Sequence, residues 1–138
     1  MLLSNVMDTI SEITEGVKEG KGYKITCDGT VTEFNPTDGF YNMDEVRTAC
    51  GFDYFEIVYM ANRQSMFLCD EEGLLYGKTV NPIATLMMQK SYKTNEVGIV
   101  GDCVYCDVNA VRETGGEKSP LFLFDKMVSW SYMHSSKF

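Results

Sequence analysis

The chain has 138 residues, with 20 acidic and 12 basic side chains and a formal net charge of −8. That length favours a single domain, and 44% apolar with 12% aromatic residues is enough to bury a core without a metal or a disulfide. The same figures exclude a mainly disordered chain and argue against a protein that grips phosphate backbones through clustered Lys and Arg.

Leu3, Val6, Ile10, Ile13 and Val17 recur at spacings of three and four, the stripe of an amphipathic helix, while Glu12, Glu15 and Lys18 fall off it. Gly16, Gly20 and Gly22 end this helix between residues 15 and 20, where it either caps the domain or pairs with a second subunit. Segments 23–27 and 30–34 alternate in polarity around Asp28-Gly29, which predicts a hairpin with a two-residue type I′ turn. Asn35-Pro36-Thr37-Asp38-Gly39 is a loop. Asn42, with Glu45 three residues on, is a capping-box variant that opens a short helix, and Gly51 stops it.

Residues 54–60 are rich in β-formers and read as a strand, 61–64 as a turn, and 65–69 as a return strand. Asp70-Glu71-Glu72-Gly73 is a charged turn before Leu74-Leu75-Tyr76. Asn81-Pro82 starts a third helix carrying Ile83, Leu86 and Met87, and 99–106 is a last strand. Beyond it, 112–119 is a loop, 120–124 restarts apolar structure and 128–132 alternates like a half-buried strand.

The expected fold is α+β, a single domain over 1–138 with a mixed or antiparallel sheet of about five strands and two or three helices in β-grasp-like order. Its core spans 22–107, with an extra amphipathic helix over 1–20 and a C-terminal extension over 108–138.

The charge is lopsided: residues 1–72 hold 14 acids and 5 bases, residues 73–138 hold 6 and 7. Such asymmetry belongs to ordinary solvated surface, to a face for a basic partner, or to a partial mimic of a nucleic-acid backbone. Five cysteines are an odd number, and the N-terminus meets Asp8 before an apolar signal region develops. No stretch approaches the ~20 apolar residues of a membrane span. Reduced thiols and a cytoplasmic location are therefore expected.

Cys103-x-x-Cys106 is the one pair with redox or metal-ligand spacing. A zinc site needs four ligands, and Cys27, Cys50, Cys69 and His134 each stand alone. Inside a strand, positions three apart point to opposite faces, so structural thiols are expected at Cys103 and Cys106. His134 lies too near the C-terminus to serve as a general base, and neither Gly-x-Ser-x-Gly nor a complete phosphate-binding glycine loop is present. The acids at 70–72 lack the alternating oxygen spacing of a calcium loop. No catalytic residue, cofactor or metal is expected. Asp70, Glu71 and Glu72 remain as partner-binding candidates, joined by Trp130 and Tyr132, residue types that either fill a core or anchor an interface.

One stretch has a recurring look. Cys50-Gly51-Phe52 precedes Phe55-Glu56-Ile57-Val58; then come Asp70-Glu71-Glu72-Gly73-Leu74-Leu75-Tyr76-Gly77, Asn81-Pro82-Ile83-Ala84 and Ile99-Val100-Gly101-Asp102. Together, to about Asp107, they cover half the chain and resemble an uncharacterised small domain family frequent in bacteriophage and plasmid reading frames. The family supplies no catalytic residues to carry over.

The resemblance implies an accessory gene of a mobile element. The expected function is a non-enzymatic protein that binds and inhibits a host protein or protein–nucleic acid complex, of an anti-defence type such as anti-CRISPR or anti-restriction. Direct contact with nucleic acid or membrane is not expected, and a homodimer is compatible with the pattern. Two alternatives stand beside it: a small-ligand binder that sequesters a nucleotide immune signal, and a metal or redox site on Cys103 and Cys106.

Overall fold

A computed structural model describes residues 3–111, so Trp130, Tyr132, His134 and the segments 120–124 and 128–132 lie outside the described residues. The element order is helix, then β-β-α-β-β-α-β, as the patterning predicts. Helix α1, Leu3–Lys18, buries Ile10, Ile13 and Val17 along its expected stripe.

Strands β1 (Tyr23–Ile25) and β2 (Val31–Glu33) pair antiparallel, with Tyr23 opposite Glu33. Their turn is not the expected type I′. Gly29 takes a left-handed φ of 89°, but Asp28 does not. The Thr26 N–H donates to the Thr30 carbonyl at 3.0 Å and the Gly29 N–H to the Thr26 carbonyl at 3.1 Å. Residues 27–29 thus form a three-residue loop closed by a left-handed glycine. The cause is local: the Asp28 carboxylate accepts from the Thr30 N–H at 3.0 Å and from the Thr26 hydroxyl. An aspartate bonded to backbone two residues ahead keeps negative φ. Those bonds also hold its carboxyl below the usual range.

Helix α2, Met43–Cys50, starts at Asn42 and ends at Gly51, as expected. The reciprocal capping box does not form. The Asn42 side chain accepts from the Asp44 N–H at 2.8 Å, and Glu45 stays exposed in the first turn.

Strands β3 (Phe55–Tyr59) and β4 (Ser65–Asp70) make the second hairpin, followed by helix α3, Pro82–Tyr92. Strand β5, Cys103–Asp107, enters between the two hairpins. The sheet order is β2-β1-β5-β4-β3, antiparallel at every pairing. This is the α+β class expected, with five strands and three α-helices among the described residues and β5 central in the sheet.

The fifth strand starts later than the apolar run at 99–106 suggests. Gly101 takes φ 79°, and the Ile99 carbonyl is already committed to the Asn81 N–H at 2.8 Å. Residues 99–101 therefore pair with 79–81, the segment ahead of α3, through the Val80–Val100 bridge, and not with the five-stranded ladder.

Both faces of the sheet are covered. Phe67, Cys69, Cys103 and Tyr105 pack under α1 and α3, and Met66, Leu68, Val104 and Cys106 pack on the α2 side. All six residues of β4 are consequently buried, which is why this strand reads as an apolar run with little visible alternation. A 3-10 turn, Val108–Ala110, follows β5, and its Ala110 carbonyl accepts from the Tyr41 N–H at 2.8 Å.

Candidate interaction surface

Strand pairing decides the fate of the acidic run. Asp70 is the last residue of β4, opposite Phe55, and its side chain is turned toward the α2–β3 junction. It is 6% exposed, so it is not the solvent-facing acid expected from sequence. A buried carboxylate must be paired. Lys78 Nζ lies 2.5 Å from Asp70 Oδ2, and the Glu72 N–H donates to Oδ1 at 2.8 Å. Lys78 also donates to the Gly51 carbonyl at 3.1 Å and lies 5.9 Å from the centre of the Phe52 ring. Glu71 and Glu72 are half-buried at the base of the turn that follows.

That turn presents what the sequence did not advertise. Leu75 is 75% exposed, Tyr76 65% and Leu74 48%. Tyr54 is 61% exposed beside the turn's base, where its carbonyl accepts from the Glu71 N–H at 3.0 Å. Backbone bonds from Tyr76 to Glu72 at 3.1 Å and from Lys78 to Gly73 at 3.0 Å order the segment. A Cβ on Gly73 would stand 2.5 Å from Val100 Cγ2, so the base of the loop packs closely on the segment before β5. The sequence signal available was the triplet Leu74-Leu75-Tyr76 immediately after an acidic run, which is equally the pattern of a strand start.

Other acids of the first half gather elsewhere. Asp8, Glu12 and Glu15 from α1, Glu19 just after it and Glu33 from β2, with Lys21 among them, line a groove of about 860 Å³ whose apolar lining is Ile13, Tyr23 and Val31. The pairs Lys18–Glu15 at 3.3 Å and Lys21–Glu33 at 3.7 Å are exposed and contribute little.

Cys103 and Cys106 lie on opposite faces of β5, as strand alternation predicts, which separates the two sulfurs of the C-x-x-C pair. All five thiols are free. Burial pushes Cys50 up to about 12 and raises Cys69, Cys103 and Cys106 well above the ordinary thiol range. Thiols held protonated are poor nucleophiles and poor metal ligands. Among the described residues no three or more His, Cys, Asp or Glu converge to hold a metal ion, and no helix is long and apolar enough to cross a membrane.

No family model, curated protein or solved structure matches the chain, and its own surface therefore carries the functional reading.

Proposed function

We propose that the protein is a non-enzymatic binding module that seats the loop between β4 and α3 in a partner protein and blocks it, as an accessory protein of a mobile element acting on a host complex. The observation that carries this reading is the cluster of exposed Tyr54, Leu74, Leu75 and Tyr76 around one ordered loop. Adjacent water-exposed leucines and tyrosines gain by burial against a partner, each fully buried side chain contributing roughly 1.5–3 kcal/mol. The Lys78–Asp70 pair holds the loop base before any partner arrives, which lowers the entropy lost on docking.

Charge narrows the partner. Asp53, Glu71 and Glu72 flank the apolar cluster, so the complementary surface is an apolar pocket rimmed by Lys and Arg. A clustered basic surface is also the footprint by which proteins hold nucleic acid, so a host protein–nucleic acid complex fits the charge of this face. The acids gathered between α1 and β2 add to a negative field that speeds encounter with such a partner.

The test compares capture from bacterial lysate by the tagged full chain with capture by a Leu75→Asp, Tyr76→Ala variant. The variant should keep the wild-type circular dichroism spectrum and lose the captured protein. Equal capture by both proteins would overturn the assignment.

A further inference from the structure

Strand β2 ends the sheet on the side away from β3, and its outer edge is open. The Phe34 N–H donates to the Gly22 carbonyl at 2.8 Å, and the Thr26 N–H to the Thr30 carbonyl at 3.0 Å. Bonded pairs alternate along an antiparallel ladder, so residues 30, 32 and 34 turn their backbone groups toward β1. Val31 and Glu33 therefore aim their N–H and C=O groups away from the sheet. Val31 is half-buried and Glu33 exposed, and among the described residues no strand pairs with them on that side.

The groove between α1 and β2 runs along this edge. Val31 and Glu33 share a sheet face with their ladder partners Ile25 and Tyr23, the face packed under α1. Asp8, Glu12 and Glu15 on α1, and Glu19 just after it, follow one another at helical spacings of four, three and four, and all are exposed. That stripe rises over roughly 16 Å, the length of about five residues of extended chain. With Glu33 it sets five carboxylates against one lining cation, Lys21. The Lys21–Glu33 and Lys18–Glu15 pairs are exposed and exchange for a ligand at little cost. An open edge takes an extended chain through main-chain hydrogen bonds. A second copy of this edge would bring the same acids and be repelled. Lys and Arg fit instead, their apolar stems lying on Ile13, Tyr23 and Val31 while their cationic heads reach the acids.

We propose that β2 accepts an extended basic segment of a partner protein as an added antiparallel strand, bonded to the backbone of Val31 and Glu33, with alternate Lys or Arg side chains in the acidic groove. A residue set opposite Val31 or Glu33 both bonds it and shares its face, so the same residues carry the backbone donors and the cations. Charge selects the segment and speeds its encounter, and the backbone bonds fix its register. The site stands apart from the 71–80 loop, and its failure would leave the reading of that loop untouched.

The experiment is amide NMR of the full chain at low salt, titrated with an acetylated and amidated peptide of alternating Lys and Thr. A second probe is the same peptide N-methylated at its lysines, which keeps the charge and removes the edge-facing donors. The parent peptide should bind with a Kd below about 1 mM, moving the amides of Val31 and Glu33 most, slowing their exchange and leaving 74–76 in place. The N-methylated peptide should bind at least about tenfold more weakly. Glu12→Gln with Glu19→Gln, both at exposed positions, should weaken the parent peptide by about the same factor. Equal affinity for the two peptides would mean adhesion by charge alone and would overturn the proposal. Silence at about 5 mM, shifts centred away from β2, or affinity unchanged in the double variant would overturn it equally.

Discussion

Lys78 Nζ sits 2.5 Å from Asp70 Oδ2 while also donating to the Gly51 carbonyl, so one ammonium ties the end of β4, the end of α2 and the exposed loop together. The acid that sequence offers as a partner contact is spent inside the molecule. Glu71 and Glu72 lie half-buried beside it, and the apolar residues after them are what the loop shows to a partner.

Lys78→Met leaves Asp70 buried without its cation and should cost about 3 kcal/mol, read as a fall in the urea midpoint. Adding Asp70→Asn should recover part of that loss, because the stranded charge is gone. Glu72→Gln should change stability by less than about 0.5 kcal/mol. Equal effects at positions 72 and 78 would refute the clamp.

Asn81 is fully buried and serves three elements at once. Its Nδ2 donates to the Ile25 carbonyl at 2.9 Å and the Gly101 carbonyl at 3.0 Å, and its Oδ1 caps α3 through the Ala84 N–H at 3.2 Å. Asn81→Ala removes the cap and strands two carbonyls, for an expected loss of about 3 kcal/mol. Asn81→Asp keeps the cap acceptor but sets a carboxylate against both carbonyls, so thermal denaturation should show no rescue.

The thiols give a chemical and a pH prediction. Cys27 is half-buried and the other four are buried, so a disulfide reagent at neutral pH should label Cys27 first and the others only as the chain opens. Burial pushes the native Cys50 thiol up to about 12 from an ordinary 9.0. In that window the unfolded chain releases a proton that the native chain keeps, so stability falls as pH rises through it and is constant below. Tyr41 and Tyr105, raised by burial, act with the same sign. A melting temperature that stayed level from pH 8 to 10.5, or rose, would contradict this.

Leu75→Asp removes an apolar side chain that touches solvent over most of its surface, so stability read by thermal melting should hold within about 0.5 kcal/mol. Solubility should improve as the exposed patch shrinks. A large destabilisation would mean that Leu75 is packed against the rest of the chain and is not available to a partner.

Much of the fold was legible because short-range rules govern it. The stripe of Ile10, Ile13 and Val17, the caps at Asn42 and Asn81, and the stop at Gly51 are all decided within a few residues of chain, and the element order follows from them. The Asp28-Gly29 turn was misread at the same range, since the Thr26 hydroxyl and the Thr30 N–H, both bonded to the Asp28 carboxylate, outweighed the dipeptide's own preference. The opposed faces of Cys103 and Cys106 were also readable, because strand period alone fixes them.

The candidate sites were not legible, for a physical reason. Composition and periodicity determined an acidic α+β domain with its charge in the first half. They did not say which acid would be buried, which leucines would stay wet or which hydroxyls would meet. Asp70 meets Lys78 because β4 ends beside α2, and Ser65 meets Tyr105 because β5 inserts beside β4. Leu74 and Leu75 are exposed because the sheet has already filled both its faces with other side chains. Local preference sets the elements; only long-range packing decides which side chains are left over for function.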